Sequence, residues 1–95
     1  MKKLQEFILR EVADEYILIP TGKTTETFNG IISLSETAAF IYEHLEEAPS
    51  FDALVDMITK EYDVDRKTAF QDAYQFINQM IANGMVDLSD REKNW

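Results

Sequence analysis

The segment NGIISLSETAAF, residues 29–40, most constrains the fold, because a strand signal gives way to a helix signal within it. The run from Ile31 to Leu34 is rich in β-branched side chains, which pack well on a pleated surface and predict a strand. Ser35 is a predicted N-cap, and Glu36 complements the positive end of the helix dipole. A short strand that leads straight into a helix can leave one backbone edge unpaired, and an unpaired edge can accept another chain.

Two further β-like runs precede this segment. Residues 7–13 and 15–20 are separated by little more than Asp14, which is suited to a tight turn, and they predict a hairpin. The polar run 21–27 predicts a loop, and residues 28–34 bring the third strand. In an antiparallel sheet the backbone groups of successive residues point to opposite sides, so residues of one parity in 31–34 should face the hairpin and the others the open edge.

Three helices are predicted after the third strand. The first ends at Ala48-Pro49, and Ser50 caps the second. Asp65 caps the third, which runs from Arg66 to about residue 83 and is ended by Gly84, with a short strand predicted over residues 85–88. The predicted fold class is α+β, a winged helix-turn-helix-like domain with a three-stranded antiparallel sheet followed by three helices. We predict one domain over residues 1–95, with a core over about 7–88 and a flexible tail over 89–95.

The third helix carries apolar residues around more of its circumference than contact with one neighbouring element requires. A first lane contains Ala69, Ala73, Phe76 and Met80, and a second contains Phe70, Tyr74, Ile77 and Ile81. The ordinary interpretation is a helix in a groove between other elements. The alternative is that one lane contacts the core and the other contacts a partner.

Charge narrows the classes of partner. Eighteen acidic against nine basic side chains give a formal net charge of −9, which repels phosphate backbones and anionic membrane surfaces. Between Glu36 and Asp65 nine residues are acidic and only Lys60 is basic, so the winged-helix architecture does not favour a DNA-binding regulator here. The chain has no cysteine, and charges interrupt the apolar positions near its N-terminus. Both features fit a cytoplasmic protein with no signal peptide or membrane span.

The sequence shows no catalytic or metal-binding pattern. His44 and Glu47 have the i, i+3 spacing of two ligands, but a zinc site needs more than two. Asp63-x-Asp65 lacks the glycine and the closing glutamate of a calcium loop, and GKTT at residues 22–25 lacks the first glycine of a phosphate loop. We therefore expect neither an enzyme nor a bound cofactor or metal.

An ordered set of segments resembles a known family. These segments are LREVADEYILIPTG (9–22), FNGIISLSETAAFIYEHLE (28–46), EYDVD (61–65) and IANGMV (81–86). Over roughly residues 7–88 the chain resembles the coenzyme PQQ synthesis protein D family. The resemblance implies a non-catalytic RiPP recognition element, a domain that binds the leader segment of a ribosomally made precursor peptide. Such a domain presents the peptide to a modifying enzyme, and the family context implies a radical SAM enzyme.

The resemblance also implies where a leader binds. In the family the leader adds as a strand beside the third strand and lies against the third helix. Carried over to this sequence, the predicted groove wall is Phe70, Tyr74 and Ile77, unless the first lane faces the groove. The full set of predicted peptide contacts is Ile31, Ile32, Ser33, Leu34, Arg66, Lys67, Phe70, Ala73, Tyr74 and Ile77.

Two questions stay open at this stage. An acidic leader would need the Arg66-Lys67 pair, and a leader with basic flanks is the alternative. Besides the leader-binding protein and the transcriptional regulator, a third hypothesis is a structural subunit that forms a homodimer through the same strand edge.

Overall fold

A computed structural model describes residues 1–28 and 30–88, so the tail predicted over 89–95 lies outside the described residues. In chain order the elements are β1 (Lys2–Lys3), β2 (Phe7–Val12), β3 (Glu15–Pro20), a 3-10 helix (Gly22–Glu26), β4 (Ile32–Leu34), α1 (Glu36–His44), α2 (Phe51–Glu61), α3 (Arg66–Ala82) and β5 (Val86–Asp87). Each helix in the described ranges is too short or too polar to cross a membrane. The α+β prediction, an antiparallel three-stranded sheet followed by three helices, is confirmed.

The hairpin of β2 and β3 turns through two residues. Ala13 and Asp14 have φ angles of 51° and 67°, and Val12 pairs with Glu15 across the turn. Positive φ at both central positions defines the turn whose twist matches that of the flanking strands. Asp14 tolerates this conformation, whereas Ala13 adopts it against the preference of its Cβ atom.

The predicted N-caps of all three helices are present. The Ser35 and Ser50 hydroxyls each accept a backbone N–H three residues further on, at 3.1 Å, and the Asp65 carboxylate accepts that of Thr68 at 2.9 Å. Each bond satisfies a first-turn amide that has no partner inside the helix. Gly84, with φ 71°, follows the end of α3 as expected.

The helices cover one face of the three-stranded sheet. Leu18 on the central strand is fully buried, and burial of such a side chain contributes about 1.5–3 kcal/mol. Ile32 and Leu34 contact the core from β4. The opposite face of the sheet carries side chains outside that core, namely Ile8, Arg10, Val12, Ile17 and Ile19.

The strand predicted over residues 28–34 is shorter in the structure, where it is β4. Gly30 has a φ of 84°, which interrupts an extended chain, and β4 begins only at Ile32. Phe28 instead donates its N–H to the Thr24 carbonyl at 2.9 Å and contacts Phe7 edge to face at 5.1 Å. The run predicted as a loop before it contains the 3-10 helix.

The N-terminus pairs with the segment that follows α3. Lys2 and Lys3 of β1 are registered with Asp87 and Val86 of β5 in a two-stranded antiparallel ribbon. Leu4 extends this ribbon by donating its N–H to the Met85 carbonyl at 2.9 Å. The strand predicted after α3 is therefore present, and its partner is β1.

Candidate functional site

The strand β4 lies at one edge of the sheet, whose order is β2-β3-β4. Thr21 donates its N–H to the Glu6 carbonyl at 3.0 Å, one position beyond the register that pairs Phe7 with Pro20. Because hydrogen-bonded and non-hydrogen-bonded pairs alternate along an antiparallel ladder, the odd-numbered residues of β3 bond to β2. The even-numbered residues of β3 therefore direct their backbone groups to β4.

This alternation decides which backbone groups of β4 face the open side. Tyr16 and Leu18 are registered with Leu34 and Ile32, so these two residues of β4 bond to β3. The N–H and C=O of Ser33 point away from the sheet. Within the described residues, none of the hydrogen bonds outside the helices and ladders involves Ser33. The open edge can thus accept a further strand at this residue.

A groove of about 490 Å³ lies beside this open edge, between β4, α1 and α3. The apolar part of its lining is Ile32, Leu34, Ala38, Ile41, Phe76, Met80 and Met85. The polar part is Ser33, Ser35, Thr37, Asp72, Gln75, Gln79 and Asn83. An apolar lining with polar groups at the rim is suited to a peptide strand whose alternate side chains enter the groove.

The α3 wall of the groove combines the first lane with a polar stripe. Phe76 and Met80, both buried, are the first-lane members that reach it. Gln75, Gln79 and Asn83 lie beside them, and their side chains are neutral amides that both donate and accept hydrogen bonds. None of these amides is among the peptide contacts predicted from the sequence. The available signal was the run of uncharged amides at helical spacing in an otherwise highly charged chain.

Within the described residues no member of the second lane lines the groove, which fits the alternative in which the first lane faces it. Ile77 is fully buried in the core, as is Ala73. Phe70 and Tyr74 are 41% and 47% exposed and stack on each other with ring centroids 6.0 Å apart. Phe70 also contacts Phe51 of α2 edge to face at 5.1 Å. These aromatic rings lie on the α2 side of α3, and contact between them and a peptide stays a prediction.

The basic pair at the start of α3 is also outside the groove lining. Arg66 forms ion pairs with two carboxylates of α2, those of Asp56 and Asp52, the latter at 3.7 Å. Lys67 is exposed one position further along the helix. The structure therefore does not bring Arg66 and Lys67 to the edge of β4, while Ile32, Ser33 and Leu34 do line the groove beside it. Ile31 lies just before β4, is 57% exposed, and does not line the groove.

A second cavity of about 380 Å³ adjoins the groove at the C-terminal end of β4. The two cavities share Ser33, Leu34 and Ser35. The rest of the second lining is Tyr16 with four carboxylates, those of Glu11, Asp14, Glu15 and Glu36. The negative potential here raises the pKa of the Tyr16 hydroxyl, and Glu11 contributes most to the increase.

His44 and Glu47 are joined by a hydrogen bond between the imidazole Nδ1 and the carboxylate. Among residues 1–28 and 30–88, no three histidine, aspartate or glutamate side chains are grouped so as to hold a metal ion. The pair thus links the end of α1 to the turn that follows it.

Comparison with known proteins gives a family match and a structural neighbour. The family model described as Coenzyme PQQ synthesis protein D (PqqD) matches residues 15–86. No curated protein matches the chain. A solved structure described as "TbiB1 in Complex with the TbiA(beta) Leader Peptide" aligns with a TM-score of 0.67 and 24% sequence identity, over 95% of this chain and 100% of that chain. At this identity the likeness establishes a shared fold.

Proposed function

Because the chain belongs to the coenzyme PQQ synthesis protein D family, we propose that it binds the leader segment of a ribosomally synthesised precursor peptide. The observation that carries the proposal is the open edge of β4 beside an apolar groove. The structural neighbour supports it, since that protein was solved with a leader peptide. The proposed role is in the cytoplasm, where the precursor is made.

In the proposed complex the leader forms a fourth strand next to β4. The Ser33 N–H and C=O bond to its backbone, which gives affinity that depends little on leader sequence. Side chains on one face of the added strand contact Phe76 and Met80, and those on the other face point to solvent. Gln75 and Gln79 on α3 hydrogen-bond to the leader from the opposite wall.

We assign the protein no catalytic step. In this role it holds the precursor while a partner enzyme modifies the segment outside the groove, and the family resemblance implies a radical SAM enzyme as that partner. A test is to identify a modifying enzyme and a precursor peptide encoded near this gene, and to measure whether the enzyme modifies that precursor faster when the protein is added. The matched control is the same precursor without its leader, which the protein should not help.

Direct binding is tested by titration calorimetry with overlapping synthetic peptides that cover the precursor identified in this way. A single added strand buries at most about 1,200 Å², so a dissociation constant near micromolar is expected. Gln75→Ala should weaken binding by about 5- to 10-fold through loss of one hydrogen bond. Gln71→Ala, on an exposed part of α3 outside the groove lining, is the matched control and should leave affinity unchanged.

Two results would overturn the proposal. The first is the absence of heat and of chemical-shift change at high peptide concentration with folded protein. The second is a concentration-dependent dimer that no peptide dissociates, which would assign the β4 edge to self-association.

A further inference from the structure

Among the described residues, the charged side chains that line the groove beside β4 and the cavity next to it are all acidic. Of the residues that the structure describes, Asp72 is the one charged residue in the groove lining, and the adjoining cavity has four carboxylates, of which Glu36 follows β4 and the other three lie on the β2–β3 hairpin. Within the described residues no lysine or arginine lines either cavity, and Asp72 has no ion-pair partner. A peptide that follows the edge past Ser35 therefore leaves a nearly neutral groove and enters an acidic cavity.

The cations on α3 cannot offset this charge. Arg66 is held by Asp52 and Asp56 on α2, and neither it nor Lys67 lines the groove. Successive residues of a helix are about 100° apart around its axis. Lys67 and Asp72 are five residues apart, so they lie on different sides of α3. Glu11, Glu36 and Asp14 of the second cavity are also among the groups that raise the pKa of the Tyr16 hydroxyl.

We propose that this edge selects a leader whose docked strand is apolar and whose flank beyond Ser35 is positively charged, with Asp72 favouring a lysine or arginine in the strand itself. The inference rests on the proposed function and adds the charge of its ligand. The sequence left open whether the leader is acidic or has basic flanks, and the inference favours a leader with a basic flank. Attraction between the flank and the four carboxylates would act on the rate of encounter and would weaken with salt.

Strand direction determines which flank carries the charge. In an antiparallel addition the peptide residues beside Ser35 precede the docked strand, and in a parallel addition they follow it. Charges placed at one end of the peptide and then at the other therefore report its orientation as well as the charge preference.

The test uses the tightest-binding synthetic precursor peptide in versions that carry three lysines, three serines or three glutamates at one end. At about 0.05 M salt the lysine version should bind about 10-fold more tightly than the glutamate version when the charges are at one end of the peptide, and not when they are at the other end. At about 0.5 M salt this difference in affinity should shrink. The Glu11→Gln, Glu15→Gln double variant should reduce the preference. Asp63→Asn with Glu26→Gln makes the same charge change outside both cavities and should preserve it.

Asp72→Asn tests the group inside the groove. The substitution should weaken the binding of a peptide with a lysine in the docked strand by several-fold. It should leave the affinity for a peptide with serine at that position unchanged. Equal binding of all charge versions, or tighter binding of the glutamate version, would overturn the inference while leaving the proposed function intact. If no version binds, the proposed function fails and the inference with it, so the two failures are distinguishable.

Discussion

Replacing Ser33 by proline removes one backbone N–H from the open side of β4 and leaves the bonds between β4 and β3 in place. The preceding residue, Ile32, is already extended, so proline's restriction of its neighbour costs little. Fixing φ near −65° adds some strain in a strand, and a loss of about 1 kcal/mol in unfolding free energy is expected. The fold should therefore survive the substitution.

Ile32→Pro is the contrasting variant, because its N–H belongs to the ladder with Leu18. It should leave a buried carbonyl without a donor and remove a half-buried side chain, at a combined cost of about 3 kcal/mol. For a domain of this size that corresponds to a fall in melting temperature of about 12–24 °C. Ser33→Pro should lower it by less than about 8 °C.

Peptide binding should change in the opposite order. Ser33→Pro leaves one peptide carbonyl without its donor, which costs about 1–2 kcal/mol, or about 5- to 30-fold in dissociation constant. Ser33→Ala, which keeps the N–H and also loses the hydroxyl, should bind as the wild type does. Melts followed by circular dichroism and titration calorimetry measure both effects. A Ser33→Pro protein that melts like Ile32→Pro would contradict the assigned parity, and one that binds at wild-type affinity would place the peptide elsewhere.

Three further predictions concern the scaffold. Ala13→Gly should raise unfolding free energy by about 0.5–1 kcal/mol, because glycine adopts the φ of 51° without strain, and a lower melting temperature would contradict this. Hydrogen bonds from Thr68 lower the pKa of Asp65 below 3.8, so its charge stabilises the fold above that pH and ceases to do so as pH falls through the folded-state pKa. Asp65→Asn, which keeps a capping oxygen, should lose that pH dependence in melts between about pH 2 and 7, and an unchanged profile would refute the assignment. Arg66→Gln should cost under about 1 kcal/mol in urea melts, less at high salt, and leave peptide affinity unchanged, whereas a clear loss of affinity would return Arg66 to the binding surface.

The features predicted correctly from sequence are those fixed by local chemistry. Ser35, Ser50 and Asp65 cap helices because a short oxygen-bearing side chain can reach an amide three residues away, whatever the rest of the chain does. The hairpin also follows from local signals. The pairing of β1 with β5 could not be predicted, because two lysines carry no strand signal and their partners are distant in sequence.

The orientation of α3 shows where periodicity stops being informative. Spacing gives the width of an apolar arc but not its rotation toward the sheet, and both lanes of α3 are apolar. Tertiary packing decides the matter: Ile77 fills the core, Phe76 reaches the groove, and Phe70 with Tyr74 contacts Phe51 on the α2 side. Sequence reasoning thus located the edge strand of the candidate site but could not decide which lane of α3 faces the groove.

The ribbon between β1 and β5 has a consequence for synthesis on the ribosome. Met85 lines the groove, and its carbonyl accepts a hydrogen bond from the Leu4 N–H, so a contact between residues distant in sequence holds one groove-lining residue in place. Contacts this distant in sequence form late, because closing a long loop is entropically costly. A nascent copy still lacking Met85 therefore has no finished groove, and it should not compete with completed molecules for precursor.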